Sequence, residues 1–216
     1  MAFYDRIHNT SDFVISFTKH PCFDFGVFAR GYTQAANILA EHLLSQNHFS
    51  DYEAYPVVFL YRNAFELYLK HVIYQITVQS RFKGIGNVGS GLHITHRLDQ
   101  LAKLVVKLAR SAYPNNSGLH SVLAKVQRFA EEFTQIDPGS DSYRYPINTR
   151  GGYSTDQKQR VNLQAFSLGM ADLLNDLEVL SFGVEIKTDQ AMEVYKLLQS
   201  IEEMLREEPT VLDPGA

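Results

Sequence analysis

The sequence predicts an all-α protein, a single helical bundle of five or six helices. Long stretches lack proline and glycine and repeat apolar residues every three or four positions, which is the helical period. One stretch, residues 57–76, is apolar around nearly its whole circumference, as is typical of a central helix. The chain has 216 residues, of which 45 % are hydrophobic, so it has enough apolar material for one large domain.

The first two predicted helices lie on either side of a polar connection. Apolar residues at three- and four-residue steps predict a helix from about residue 24 to 45, and Gly31 within it suggests a close helix crossing. Residues 46–56 form the connection. Pro56 suits the first turn of the next helix, where its missing N–H does no harm. The central helix then runs to about Ser80.

Four more segments complete the predicted bundle. Thr95 can cap a third helix that ends near Ala112, and Gly183 is expected to end the fifth. Thr188 can cap a sixth. The expected ranges of the last three helices are 117–133, 161–182 and 188–206. Residues 1–206 are therefore expected to form one domain, with its core at about 24–182 and a flexible tail at 207–216.

A polar seam runs along the central helix. At about 100° per residue, Arg62, Glu66 and Lys70 fall on one stripe, with Asn63 beside them. Unpaired buried charges are very costly, so the seam is expected to supply its own ion pairs. Glu66 is expected to be the structural partner of both cations, and Arg144 is expected to reach it or a nearby carbonyl.

Composition excludes several classes of protein. Cys22 is the single cysteine, so there is no intramolecular disulfide and no cysteine-based zinc site. No stretch approaches the roughly 18 uninterrupted apolar residues of a membrane span. No signal peptide is recognisable, so a cytoplasmic protein is expected. The net charge of −4 argues against coating nucleic acid by bulk charge.

A glycine-rich loop does not indicate a cofactor. Gly84, Gly86 and Gly89 formally match G-x-G-x-x-G. That motif binds dinucleotides only between a strand and a helix, and here a long helix precedes it. His93 and His96 have a spacing that can bind metal, but no third ligand is evident. Neither a cofactor nor a metal site is expected.

Three segments, taken in order, resemble the HEPN superfamily (higher eukaryotes and prokaryotes nucleotide-binding). They are FLYRNAFELYLKHVI at 59–73, GLHITHRLDQLAKLV at 91–105 and SYRYP at 142–146. Proteins of this kind are helical bundles with an Arg-polar start on a central helix and a His-x-Leu-x-x-Leu helix after a loop. Many are metal-independent ribonucleases, often toxins or phage-defence effectors, and usually build their site across a two-fold interface. The resemblance therefore implies a homodimer that cleaves or binds RNA.

The ribonuclease signature of that superfamily is Arg, a polar residue, four further residues and His. Arg62 and Asn63 match its start, and Tyr68 stands where the histidine would be. His71 projects to the opposite side of the helix and is expected to face solvent or an interface. His96 is the best candidate for the acid/base group, because histidine titrates near pH 7. The resemblance thus implies Arg62, on the phosphate, and Asn63, and His96 completes the expected catalytic set by a different route from the signature histidine.

The polar loops supply a candidate RNA-binding rim. Basic and aromatic residues alternate in them, and such a surface suits single-stranded RNA through phosphate contacts and base stacking. A hairpin or ordered loop is expected near 141–155. The residues expected to contact RNA are Arg97, Tyr143, Arg144, Tyr145 and Arg150.

Structural interpretations stand beside each functional one. Arg62 can instead be purely structural, in an ion pair with Glu66 or with another helix, and His96 can simply bond a loop carbonyl. The polar loops can be ordinary solvated loops. The alternative function is a non-catalytic HEPN-like module that binds a partner protein of a defence or toxin–antitoxin complex, or a nucleotide.

Overall fold

The structure is a computed structural model that describes residues 25–46, 48–84, 95–137, 143–144, 151–154 and 160–207. Its described residues form five helices and no strand, which confirms the predicted all-α fold. The helices are α1 (Phe25–Leu44), α2 (Asp51–Phe82), α3 (Leu98–Ala112), α4 (Ser117–Ile136) and α5 (Leu163–Glu207).

Helix α2 lies at the centre of the bundle, as predicted. It packs against α1, α3 and α5, while α4 packs against α3 and α5. Its apolar side chains, among them Phe65, Leu69 and Val72, are fully buried. The polar seam lies on this helix and is therefore buried in the interior of the bundle.

Helix α2 begins earlier than the sequence predicted. Ser50 precedes its first turn, and the Ser50 backbone N–H donates to the Glu53 carboxylate at 2.6 Å. This capping-box contact starts the helix at Asp51. Pro56 therefore lies inside the helix rather than at its first turn.

The predicted break at Gly183 is wrong, because α5 is one continuous helix of 45 residues. Glycine costs a helix interior about 1 kcal/mol relative to alanine, but packing on both sides of Gly183 offsets that cost. Val184 is buried, and so is Thr188. The Thr188 hydroxyl donates within the helix to the Val184 carbonyl at 2.9 Å, and lies 3.2 Å from the Gln75 carbonyl of α2. It therefore does not cap a sixth helix.

Smaller differences concern α1, α3 and α4. Among the described residues, no atom beyond its chain neighbours and the local α1 backbone lies within 4 Å of a Cβ placed on Gly31, so they form no close crossing there. Helix α3 begins at Leu98, and the Thr95 hydroxyl accepts a hydrogen bond from the Arg97 backbone N–H before it. Helix α4 continues to Ile136, three residues beyond the predicted end.

The predicted hairpin region and the predicted tail are described only in part. Residues 143–144 and 151–154 are described, and Gly151 has a φ of +80°, which suits glycine in a turn. Tyr145 and Arg150 lie outside the described residues, as do residues 208–216. The hairpin and the domain limits stay predictions.

Candidate functional site

The seam of α2 is a buried network of ion pairs. The side chains of Arg62, Glu66 and Lys70 are no more than 6 % exposed. Arg62 Nη1 donates to Glu66 Oε2 at 3.1 Å, and Lys70 Nζ donates to Glu66 Oε1 at 2.8 Å. Both pairs have the i,i+4 spacing that places side chains side by side on a helix. Glu66 is thus the shared partner of the two cations, as the sequence indicated.

Arg62 is enclosed on every side of its guanidinium. Besides the contact with Glu66, Nη2 donates to the His96 carbonyl at 3.0 Å. Arg62 Nε and Asp137 Oδ2 are 2.8 Å apart and form an ion pair. The two atoms are not aligned for a hydrogen bond. Asp137 directly follows α4 and is itself buried. The guanidinium therefore ties α2 to the start of α3 and to the end of α4.

Among the described residues, the buried charges of this network cancel. Arg62 and Lys70 supply two cations, and Glu66 and Asp137 supply two carboxylates. Burial on its own would raise the pKa of Glu66. The Lys70 hydrogen bond and charge, the His96 hydrogen bond and the Arg62 charge outweigh it and hold the Glu66 pKa below its ordinary value. Glu66 is therefore ionised at neutral pH.

His96 connects this network to the surface. Its Nδ1 lies 2.8 Å from Glu66 Oε1, although its side chain is 61 % exposed. The contact engages Nδ1 with a buried carboxylate and leaves most of the ring open to solvent. A carboxylate that holds one imidazole nitrogen fixes the tautomer and orientation of the ring, so that the other nitrogen can exchange protons.

Two other predicted site residues, Asn63 and Arg97, differ in how far they are exposed. Asn63 is half-buried beside Arg62 and makes no side-chain hydrogen bond within the described part of the chain. Arg97 is 54 % exposed and holds Asp99 through two contacts of 3.2 and 3.1 Å. It therefore lies at the surface next to His96 in the chain.

Tyr143 and Arg144 lie against the N-terminal half of α2. Tyr143 is half-buried, and its ring is 6.2 Å from that of Tyr55. Burial, with Asp137 and Tyr55 nearby, raises the Tyr143 pKa to about 12. The Arg144 guanidinium carbon lies 5.7 Å from the ring centroid of Phe59, a cation–π contact. This part of the loop is thus anchored on α2 through Phe59, and the expected contact of Arg144 with Glu66 or a nearby carbonyl stays a prediction.

Neither Tyr68 nor His71 is part of this site. Tyr68 is 2 % exposed, and burial together with the Glu178 charge raises its pKa to about 12. It cannot act as a base at neutral pH. The expectation that His71 faces solvent or an interface is wrong, because it is also 2 % exposed. Its Nδ1 accepts the Gly26 backbone N–H at 3.2 Å, one of the donors that a helix start leaves unpaired.

Comparisons with known proteins identify no relative. No family model matches the chain, and neither a curated protein nor a solved structure is detectably similar to it. Among the described residues, no three His, Cys, Asp or Glu side chains are grouped so that they could hold a metal ion. None of the described helices is long and apolar enough to cross a membrane.

Proposed function

We propose that this protein binds RNA and cleaves it without a metal ion, with His96 as the acid/base group. The observation that supports this is the contact of exposed His96 with buried Glu66 at 2.8 Å. An exposed imidazole, oriented by a carboxylate that is itself held by two cations, has the arrangement that general acid–base catalysis needs. The resemblance to HEPN proteins supports RNA as the substrate and a toxin or defence system as the setting.

The proposed reaction uses the 2′-hydroxyl of the substrate as its nucleophile. His96 takes the 2′-hydroxyl proton while the 2′-oxygen forms a bond to the adjacent phosphorus. The bond from phosphorus to the 5′-oxygen breaks, and that oxygen receives a proton from the imidazolium or from water. The products are a 2′,3′-cyclic phosphate and a 5′-hydroxyl. No redox step or external nucleophile is required.

The geometry changes the role that the sequence suggested for Arg62. A side chain that is 2 % exposed, with contacts to Glu66, Asp137 and the His96 carbonyl, has no room for a phosphate. In this proposal Arg62 is a positioning residue that holds the backbone of His96 and the carboxylate of Glu66. Phosphate contact falls to Arg97, the exposed cation adjacent to His96. Tyr145 and Arg150 stay predicted RNA contacts.

The test is cleavage of a single-stranded RNA in EDTA by wild-type protein and by His96→Ala. His96→Ala removes one hydrogen bond from the buried Glu66 carboxylate, which keeps its contacts with Arg62 and Lys70, so the variant should lose some stability but stay folded. Cleavage should fall by roughly 100-fold or more, the range of general acid–base catalysis. The matched control is His120→Ala, which removes another exposed histidine. Cleavage that survives His96→Ala, or that is lost equally in His120→Ala, would refute the proposed role.

A second candidate function is favoured by the burial of Arg62. If the network serves only to join α2, α3 and α4, the protein is a non-catalytic module that binds a partner. Intact RNA in every sample, at high protein concentration and with the fold verified, would favour this second function. Weakened RNA retention by Arg97→Gln would instead support RNA binding without cleavage.

A further inference from the structure

An aromatic stripe extends the polar seam of α2 towards the start of that helix. At 100° per residue, the side chains of Tyr52, Tyr55 and Phe59 project within about 60° of one another. Glu66 projects within about 20° of Tyr55. Tyr52 is 71 % exposed and Tyr55 is 41 % exposed, while Phe59 is half-buried. Aromatic rings thus lie at the surface on the same side of α2 as the carboxylate that contacts His96.

Tyr55 has an accessible ring face. Its ring meets that of Tyr143 edge to face, with the centroids 6.2 Å apart and the planes at 61°. In such a contact, each ring keeps at least one face that its partner does not cover. Because Tyr55 is also well exposed, another planar group can stack on that face.

A cationic group lies next to this ring. Tyr55 and Phe59 are four residues apart, so their side chains are neighbours on the helix. The Arg144 guanidinium carbon lies 5.7 Å from the Phe59 ring centroid, and the Arg144 side chain is exposed. Guanidinium groups stack on bases as well as on aromatic rings, and their charge attracts phosphate. Tyr55 and Arg144 therefore place an aromatic ring beside a positive charge.

The stripe leads along α2 towards His96. Phe59 precedes Glu66 by about 10 Å along the helix axis, and Tyr55 precedes it by about 16 Å. Asn63 lies between Phe59 and Glu66, is half-buried, and makes no side-chain hydrogen bond within the described part of the chain. An amide both donates and accepts hydrogen bonds. Asn63 therefore suits a strand of RNA that passes from Tyr55 to His96.

We propose that Tyr55 and Arg144 form a subsite for an unpaired base of the RNA substrate, with the base stacked on the Tyr55 ring. This inference rests on the proposed RNA binding and adds a requirement for single-stranded RNA near the cleaved bond. Stacking on an aromatic ring tolerates any base, so the subsite selects unpaired bases rather than one sequence. Asp51, one turn before Tyr55, is exposed and repels phosphate. The affinity at Tyr55 therefore comes from the base, and the RNA backbone lies on the Arg144 side.

The first test measures binding by fluorescence anisotropy, with the full chain and a single-stranded oligoribonucleotide in which every 2′-hydroxyl is methylated. This oligonucleotide has no 2′-hydroxyl nucleophile, so binding is separated from cleavage. Tyr55→Ala should raise the dissociation constant about 5- to 100-fold, the range expected for the loss of one base–aromatic stack. Tyr55→Phe keeps the ring and should restore most of the affinity.

An oligonucleotide of the same length without bases separates stacking from an effect on the fold. Its dissociation constant should be the same for wild type and Tyr55→Ala, because it has no base to stack. An equal loss of affinity for both oligonucleotides would show that Tyr55 only supports the surrounding structure, and would refute base stacking.

Phe28→Ala is the matched control in the protein. Phe28 is a 53 % exposed aromatic residue near the start of α1. That end of α1 contacts α2 at His71, where Nδ1 accepts the Gly26 backbone N–H, about 24 Å beyond Tyr55 along the axis of α2. Phe28→Ala should therefore bind both oligonucleotides as wild type does.

A fluorescent reporter tests the contact itself. The chain contains no tryptophan, so Tyr55→Trp places a single one at the subsite. Stacked bases quench tryptophan emission, so the base-containing oligonucleotide should quench it and the oligonucleotide without bases should not. Phe28→Trp should respond to neither. Unchanged emission of Tyr55→Trp, while anisotropy shows binding, would overturn the proposal.

The subsite and the proposed cleavage fail in different ways. Wild-type binding that Tyr55→Ala leaves unchanged would overturn the subsite alone. RNA that is bound through Tyr55 but not cleaved would support the subsite and refute cleavage. Wild-type protein that binds no RNA would overturn both.

Discussion

Replacing Arg62 with alanine should cost more stability than any surface ion pair of this protein. Arg62→Ala leaves Glu66 with Lys70 as its one strong cation partner and removes the buried guanidinium from Asp137, since the Arg62 side chain is 2 % exposed and contacts both carboxylates. Removing one partner of a buried ion pair typically costs 3–5 kcal/mol. Domains are stable by about 5–15 kcal/mol, so the loss is a large share of the total.

The matched control is Arg128→Ala. Arg128 and Glu132 have the same i,i+4 spacing as Arg62 and Glu66, but their side chains are 64 % and 60 % exposed and 3.8 Å apart. An exposed pair of this kind contributes about 0–1 kcal/mol. The free energy of unfolding of both variants and of wild type is measured by urea unfolding at neutral pH, with circular dichroism as the signal.

Arg62→Lys separates charge from geometry. Lysine keeps the positive charge but lacks the planar fork that reaches Glu66, Asp137 and the His96 carbonyl at once. Its stability should therefore fall between those of wild type and Arg62→Ala. If Arg62→Ala costs no more than Arg128→Ala, Arg62 does not hold the network together, and the positioning role assigned to it is wrong.

Two further predictions concern pH and helix propensity. Because the pKa of Glu66 is lowered in the folded protein, its contribution to stability is present above its ordinary value of 4.5 and is lost as the pH falls below that value towards the folded pKa. The free energy of unfolding should thus fall less steeply between about pH 5 and pH 3 in Glu66→Gln than in wild type, and equal slopes would contradict this. Gly31→Ala should raise stability by about 1 kcal/mol, since Gly31 lies inside α1 and no described atom beyond its chain neighbours and the local helix backbone lies within 4 Å of the added Cβ. A lower melting temperature would show an unseen steric conflict.

Local sequence patterns account for most of the fold. The spacing of apolar residues predicts α1 to α4 to within a few residues at most ends, because each helix buries one regular face. At Gly183 the local signals favour a helix end, yet α5 continues through it, because Val184 is buried and Thr188 contacts the Gln75 carbonyl of α2. Helix α2 begins earlier than predicted because the Ser50–Glu53 contact outweighs the preference of Pro56 for a first turn.

In the candidate site, too, local contacts could be predicted from the sequence and contacts between distant segments could not. Pairing of Arg62 and Lys70 with Glu66 follows from helical spacing alone. Contacts of Arg62 with Asp137 and with the His96 carbonyl join three separate segments, so nothing in the local pattern specifies them. Helical angles correctly placed His71 opposite the seam, but its burial depends on how α1 packs there.

End-group analysis of RNA fragments tests the central claim most directly. Wild-type protein, incubated with single-stranded RNA in EDTA, should release fragments that carry 5′-hydroxyl and 2′,3′-cyclic phosphate ends. Folded His96→Ala should release such fragments at least about 100-fold more slowly, while His120→Ala should match wild type. RNA that stays intact with wild-type protein, or fragments with 5′-phosphate ends, would contradict cleavage by His96 through 2′-hydroxyl attack.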